Sequence, residues 1–237
     1  FKVLLVSLLF VVFVFSFSTS CKQPEETKPV FKLATVMPGS IQDADYNTIG
    51  YIATQEIGNE FGIDTAYSEK IAVPDVERVI KEYISDGYNI IWVHGNQFNG
   101  AALEVANEYP DVTFIIEVDS KPTDMKPNVW YFHRNFHTGF YVLGSLAALK
   151  TETGKIGYLG GLEMPFTHGE INAIKQAIKD LGLNVNLEYV YAGDMNDPLK
   201  ARQAAESLIS RGVDVILSSV NLGNYGIYNA LADADRP

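Results

Sequence analysis

Two aspartates, Asp43 and Asp45, stand beside a tyrosine, Tyr46, and an asparagine, Asn47, within five positions of one another. Carboxylates accept hydrogen bonds, a carboxamide both accepts and donates, and a phenol ring adds a flat face. That is equipment for gripping a small solute. The same residue types recur further on: His94, Asn96 and Phe98 in HGNQFN, Glu117 and Asp119 in EVD, Phe166 after GGLEMP, and Asn221 in SSVNLGN. Almost no Lys or Arg interrupts them, so the ligand they suit is neutral, hydrogen-bonding and planar, with a ring stacking on Tyr or Phe.

Each of these residues also has a plain structural reading. Asp43 or Asp45 can be the N-cap of a helix beginning at Tyr46, a role that stabilises a helix by about 1 kcal/mol. Both cannot cap it in the same way, so one is spare: one acid caps, while Tyr46 and a neighbouring acid face a cleft. His94 follows an apolar strand and fits a satisfied structural histidine. Phe98 fits a hydrophobic staple onto the next helix.

Sharper chemistries find little support. GYLGGL (157–162) has glycines behind a strand but not the G-x-G-x-x-G spacing of a dinucleotide site, so no cofactor is expected. Neither a G-x-S-x-G elbow nor a Walker loop occurs. His133 and His137 have the i, i+4 spacing of a metal pair, but Arg134 between them disfavours a dication, and no metal is expected.

These residues must be positioned by strands and helices in alternation. Short apolar strands are expected at 31–37, 63–69, 89–95, 111–118 and 128–134. Helices are expected at 46–61, with Ile49, Ala53, Ile57 and Phe61 as its apolar face, at 73–85, with Val76, Val79, Ile80 and Tyr83 buried, at 100–109, and from Phe136 to Lys150. A second series starts at KIGYLGG: strands at 155–161, 185–192 and 214–220 and helices at 168–181, 198–211 and 224–233. This alternation implies an α/β fold with parallel sheets covered on both faces. Ligands of such sheets bind outside the carboxyl ends of the strands, where the residues named above fall. TETGK (151–155) separates the series, so the expected lobes are 31–150 and 151–237. The second series ends at ADADRP where a further strand is expected, which suggests a longer protein.

Net charge is −11, which argues against phosphate ligands, and no basic cluster with interleaved aromatics suggests nucleic acid as a partner. Val3–Phe17 is a nearly unbroken apolar run, short for a membrane span and right for a signal-peptide core. Ser18-Thr19-Ser20-Cys21 resembles a lipoprotein cleavage box, with Cys21, the single cysteine, as the lipidated residue and 22–30 as a tether. The alternative is an uncleaved anchor.

Four stretches carry a family resemblance: IQDADYN, VERVIKEYISDGYNIIWVHG, ANEYPDVTFI and, most specific, GFYVLGSLAALKTETGKIGYLGG. On these the chain resembles the BMP (basic membrane protein) family of substrate-binding lipoproteins. The resemblance implies a type I periplasmic-binding-protein fold of two Rossmann-like lobes joined by a hinge. It also implies an extracytoplasmic, lipid-anchored receptor that hands its solute to an ABC permease, with no catalysis. Relatives of this kind often bind purine nucleosides or nucleobases between the lobes. On that pattern Tyr46 stands where the family has phenylalanine, Asn47 matches its asparagine, Asp43 an acid ahead of it, and Phe166 supplies the opposing face. Tyr for Phe and the VNLGNYG loop depart from the pattern, and riboflavin-binding relatives share the fold. Competing readings are a nucleoside hydrolase using Asp43, Asp45 or His94, and a surface sensor or adhesin.

Overall fold

The computed structural model describes residues 30–119 and 121–234; the apolar run at 3–17 and Cys21 lie outside them. The first strands and helices are β1 (Lys32–Val36), α1 (Tyr46–Phe61), β2 (Asp64–Ser68), α2 (Val76–Ser85), β3 (Ile90–Val93), α3 (Asn99–Glu108), β4 (Thr113–Glu117) and β5 (Val129–Phe132). Short 3-10 turns at Val73–Asp75 and Asn96–Phe98 lead into α2 and α3. The strands form one parallel sheet in the order β2-β1-β3-β4-β5. The remainder is α4 (Phe136–Lys150), β6 (Lys155–Gly160), α5 (Pro165–Asp180), β7 (Asn186–Tyr191), α6 (Pro198–Ser210), β8 (Val215–Ser219) and α7 (Asn224–Asp233). Its strands form a second parallel sheet, β7-β6-β8. No helix among the described residues is long and apolar enough to cross a membrane.

The first core gathers Val36, Ile80, Val93, Phe98, Phe114 and Ile116 with their neighbours. As the spacing predicts, α2 buries Val76, Val79 and Ile80. Helix α1 does not bury the face expected of it. Ile49 and Phe61 are 62% and 67% exposed, and the buried residues are Asn47, Gly50 and Thr54. The cause is close approach to the sheet. A Cβ at Gly50 would lie 2.8 Å from His94 Nε2, and one at Gly58 2.8 Å from Thr65 Cγ2. Between them Thr54 Oγ1 donates to Gly50 O (2.8 Å) and accepts from Thr35 Oγ1 (2.8 Å). Small and locally bonded residues let the helix lie where isoleucines would hold it off.

The second sheet is covered on both faces. Leu159, Ala201, Ala205, Leu208 and Ile227 form the core under α6 and α7, while Ile156, Tyr158, Ile171 and Ile174 form the other under α5. Asp197 caps α6 by accepting from Leu199 N (2.9 Å) and Lys200 N (3.1 Å), with Pro198 in the first turn. Helix α4 belongs with this second lobe, contrary to the break expected at 151–155. Its Ala147 and Ala148 join the Ile156–Tyr158 core, and a Cβ at Gly144 would meet Ile174 Cα at 2.9 Å. TETGK is instead a loop pinned from within its own lobe: Asp214 accepts from Thr151 Oγ1 (2.6 Å), Glu152 N (2.7 Å) and Thr153 N (2.8 Å). Packing passes from one sheet to the other at 133–135, between β5 and α4.

Candidate functional site

A cavity of about 240 Å³ opens where the carboxyl ends of the two sheets face each other. From the first lobe it is lined by Pro38, Asp45 and Tyr46 behind β1, Asn96 and Gln97 behind β3, and Glu117 at the end of β4. The second lobe contributes Met164 and Phe166 behind β6, Met195 and Asn196 behind β7, and Ser218 to Asn221 at β8. Phe136 and Phe140 of α4, Leu162, Glu170 of α5 and Asn224 of α7 complete it. Three carboxylates line the cavity, and no Lys or Arg among the described residues does.

The loop behind β1 is organised by Asp43. Its Oδ1 accepts from Asp45 N (3.0 Å), Thr48 N (2.9 Å) and Thr48 Oγ1 (3.0 Å), and its Oδ2 from Asn47 N (3.0 Å) and Asn47 Nδ2 (2.6 Å). Asn47 Oδ1 in turn accepts from Gly39 N (3.0 Å). Burial works to raise the Asp43 pKa, but these donors outweigh it and lower it below the usual aspartate value. Asp43 and Asn47, expected to touch ligand, therefore brace the loop, and neither lines the cavity. Asp45 is the acid left at its lip.

Tyr46 is held on three sides. Its OH donates to Glu117 Oε2 (2.7 Å), its ring stacks on His94 with centroids 4.0 Å apart at 27°, and the Arg134 guanidinium carbon is 4.8 Å from its centroid. Burial, then the Glu117 charge, pushes the phenol well above its ordinary value, so it stays a donor. His94 is fully buried; burial and then Arg134 push it down to about 4. Neutral at physiological pH, it donates from Nε2 to Tyr46 O (2.9 Å) and accepts at Nδ1 from Arg134 Nη2 (3.4 Å). His94 supports the tyrosine from beneath and does not line the cavity. Phe98 lies in the first core, 0% exposed, and does not line the cavity either.

Of the other expected site residues, Asn96, Glu117, Phe166 and Asn221 line the cavity. Asn96 Nδ2 donates to Asp119 Oδ1, and the buried Asn96 Oδ1 has no hydrogen-bond partner among the described residues. Phe166 leans on Phe136, centroids 5.9 Å apart at 51°. His133 and His137 stack at 6.0 Å, and no group of three metal-ligating side chains occurs among the described residues. Glu170, Met195, Asn196, Phe136 and Phe140 also line the cavity, and none of them is among the residues expected there. Glu170 accepts from Tyr158 OH (2.6 Å) and Ser219 Oγ (3.3 Å), and burial pushes its pKa up to about 7. It sits one helical turn beyond Phe166, a spacing that could have found it. Met195 and Asn196 follow β7, and Phe136 and Phe140 belong to a helix whose apolar residues read as core.

Residues 30–235 match the family model Bmp, described as ABC transporter substrate-binding protein PnrA-like. Basic membrane protein A2 of Borrelia garinii is 27% identical over 207 residues, 82% of this chain and 58% of that protein. A purine-binding protein of Brucella abortus is 28% identical over 155 residues, 65% of this chain and 43% of that protein. The matched stretch thus covers about half the length of these relatives. Among solved structures, a solute-binding protein of an ABC transporter system from Aeropyrum pernix K1 superposes with a TM-score of 0.75 at 21% identity, over 87% of this chain and 59% of the other. One from Conexibacter woesei gives 0.64 at 24%, over 88% and 69%. These likenesses establish the type I solute-binding fold. With the family model spanning both lobes and the cavity between them, the chain belongs to the Bmp family.

Proposed function

We propose that this chain is the binding part of an extracytoplasmic receptor for an ABC importer, tethered through a lipid on Cys21, with a purine nucleoside or nucleobase as its solute. The lobes close on the solute by bending at the crossover, and a permease takes delivery from the closed form. No step of this requires bond cleavage. Asp45, Tyr46, Asn96, Glu117, Phe166 and Asn221 are the contacts we assign, with Asp43, Asn47, His94 and Phe98 behind them.

The observation that carries the reading is the cavity's lining: aromatic rings from both lobes, Tyr46 and Phe166, acidic and amide acceptors around them, and no cation. A flat solute rich in N–H and O–H donors fits such a lining, and a phosphorylated one does not. The purine-binding relative supports the same class. A volume of about 240 Å³ is below the roughly 300–1,000 Å³ of drug-sized sites, which favours a base or nucleoside over the larger riboflavin.

Titration calorimetry with adenosine, guanosine, inosine, adenine and riboflavin tests it, together with mass spectrometry of whatever co-purifies. Binding of at least one purine is expected, and Tyr46→Ala should weaken it by about 1–3 kcal/mol, the range for one base on one aromatic ring. Silence across the panel would refute the reading. An unchanged affinity would remove Tyr46 from the site.

A further inference from the structure

Arg134 stands in the crossover between the lobes, yet its side chain runs back into the first. Nε lies 3.7 Å from Glu117 Oε2, Nη2 3.4 Å from His94 Nδ1, and the guanidinium carbon 4.8 Å and 5.4 Å from the rings of Tyr46 and Phe132. Because the same guanidinium reaches His94, which covers one face of Tyr46, it sits beside that stack and does not occupy the opposite face. Arg134 itself does not line the cavity; Tyr46 and Glu117 do.

Glu117 is 2% exposed, and a carboxylate that deep is costly to ionise without a counter-charge. The groups facing it are Arg134 and the Tyr46 hydroxyl, which favour the charged form together with His133, and Asp119, which opposes it. Burial dominates and leaves its pKa raised. Oε2 accepts from Tyr46 OH and faces Arg134 Nε as an ion pair at 3.7 Å, while Oε1 has no hydrogen-bond partner among the described residues.

We propose, resting on the reading of the cavity as a solute site, that Arg134 is a positioning residue: as counter-ion of Glu117 and brace beside Tyr46, it presents Glu117 Oε1 to the solute as an anionic acceptor. The solute must bring an N–H or O–H donor to that point, from a base edge or a sugar hydroxyl. An anionic group there is repelled. Because Arg134 is carried by the crossover, bending there shifts it relative to Glu117 and Tyr46, so the acceptor is assembled in the closed arrangement of the lobes.

The test measures affinity for adenosine, guanosine and inosine between about pH 5.5 and about pH 9 in the full chain and its variants. Arg134→Gln should bind at least about tenfold more weakly near neutrality and recover as pH rises, because Glu117 without its counter-ion stays protonated to higher pH. The unaltered protein is the reference against which Arg134→Gln is read, because Glu170, which also lines the cavity and whose pKa is pushed up to about 7, titrates in both. Arg134→Lys should fall between them. Glu117→Gln should bind weakly with no recovery relative to the unaltered protein as pH rises, and Arg134→Gln combined with Glu117→Gln should match Glu117→Gln alone. An Arg134→Gln profile parallel to that of the unaltered protein, or an additive double variant, overturns the proposal. If thermal denaturation shows Arg134→Gln unfolded, the slope of the Arg134→Lys profile decides in its place. An unaltered protein that binds none of the three nucleosides and no adenine refutes the receptor reading instead, a result distinct from normal binding with an indifferent Arg134.

Discussion

Replacing Asp43 by alanine separates a brace from a ligand contact. The carboxylate is 3% exposed and takes five hydrogen bonds, three of them from backbone N–H groups at the start of α1. Loss of an N-cap costs about 0.5–2 kcal/mol, and a hydrogen bond to a charged group about 1.5–3. Water reaches Asp45 and part of Thr48 in the variant, so the sum is not realised, and about 3 kcal/mol is expected. For a chain of this length that lowers the melting temperature by roughly 6–12 °C. Asp43→Asn, which keeps one acceptor, should lose about half as much. The pH dependence has a definite sign. Asp43 titrates below its ordinary value of 3.8, so its contribution is present above that value and lost as pH falls through the lower folded one. The gap between Asp43→Ala and the unaltered protein should be constant from about pH 8 to about pH 5 and narrow only in stronger acid. Urea denaturation across that range measures it. If Asp43→Ala melts like the unaltered protein and only nucleoside affinity falls, the bracing argument is wrong and Asp43 is a contact.

Gly50→Ala places a methyl 2.8 Å from His94 Nε2 and should cost about 1–3 kcal/mol; because His94 supports Tyr46, calorimetry should show a weaker solute affinity as well. Glu170 is held at about 7 from an ordinary 4.5, so the protein should lose roughly 3 kcal/mol as pH rises from about 4.5 through about 7. Glu170→Gln should remove that slope and be the more stable protein at pH 8, and equal slopes in urea melts would refute the assignment. Phe98→Ala should destabilise by about 3–5 kcal/mol, while the folded fraction retains its affinity within about threefold, since the ring lies in the core and not in the cavity.

Much of this fold is legible because its helices and strands obey simple periods. Tyr46–Phe61 is helical over the whole stretch that the pattern marks, and α2 buries Val76, Val79 and Ile80 as their spacing dictates. Strand-end placement likewise picks out Asn96, Glu117, Phe166 and Asn221. Periodicity fails where contact is closest. Helix α1 turns Gly50, Thr54 and Gly58 to the sheet, and hydrophobicity does not mark small residues as buried. The choice between Asp43 and Asp45 depends on a left-handed turn at Ala44 (φ 58°), which wraps the backbone around the first carboxylate and sends the second outward. Arg134 was invisible as a partner of Glu117, because nothing local joins a crossover residue to the end of a strand 17 positions earlier.

The strand order of the first sheet bears on how the chain acquires its shape. β1 and β2 are neighbours, and β3, β4 and β5 lie successively outward from β1 in the order in which the chain runs. All the residues of that core lie between 34 and 129, ahead of every residue of the second sheet. A chain emerging amino end first can therefore zip up one half of itself, with its sheet finished strand by strand, before the other half exists to compete for the same partners. Vectorial growth and sheet order run in the same direction, which keeps exposed strand edges brief while the protein is being made.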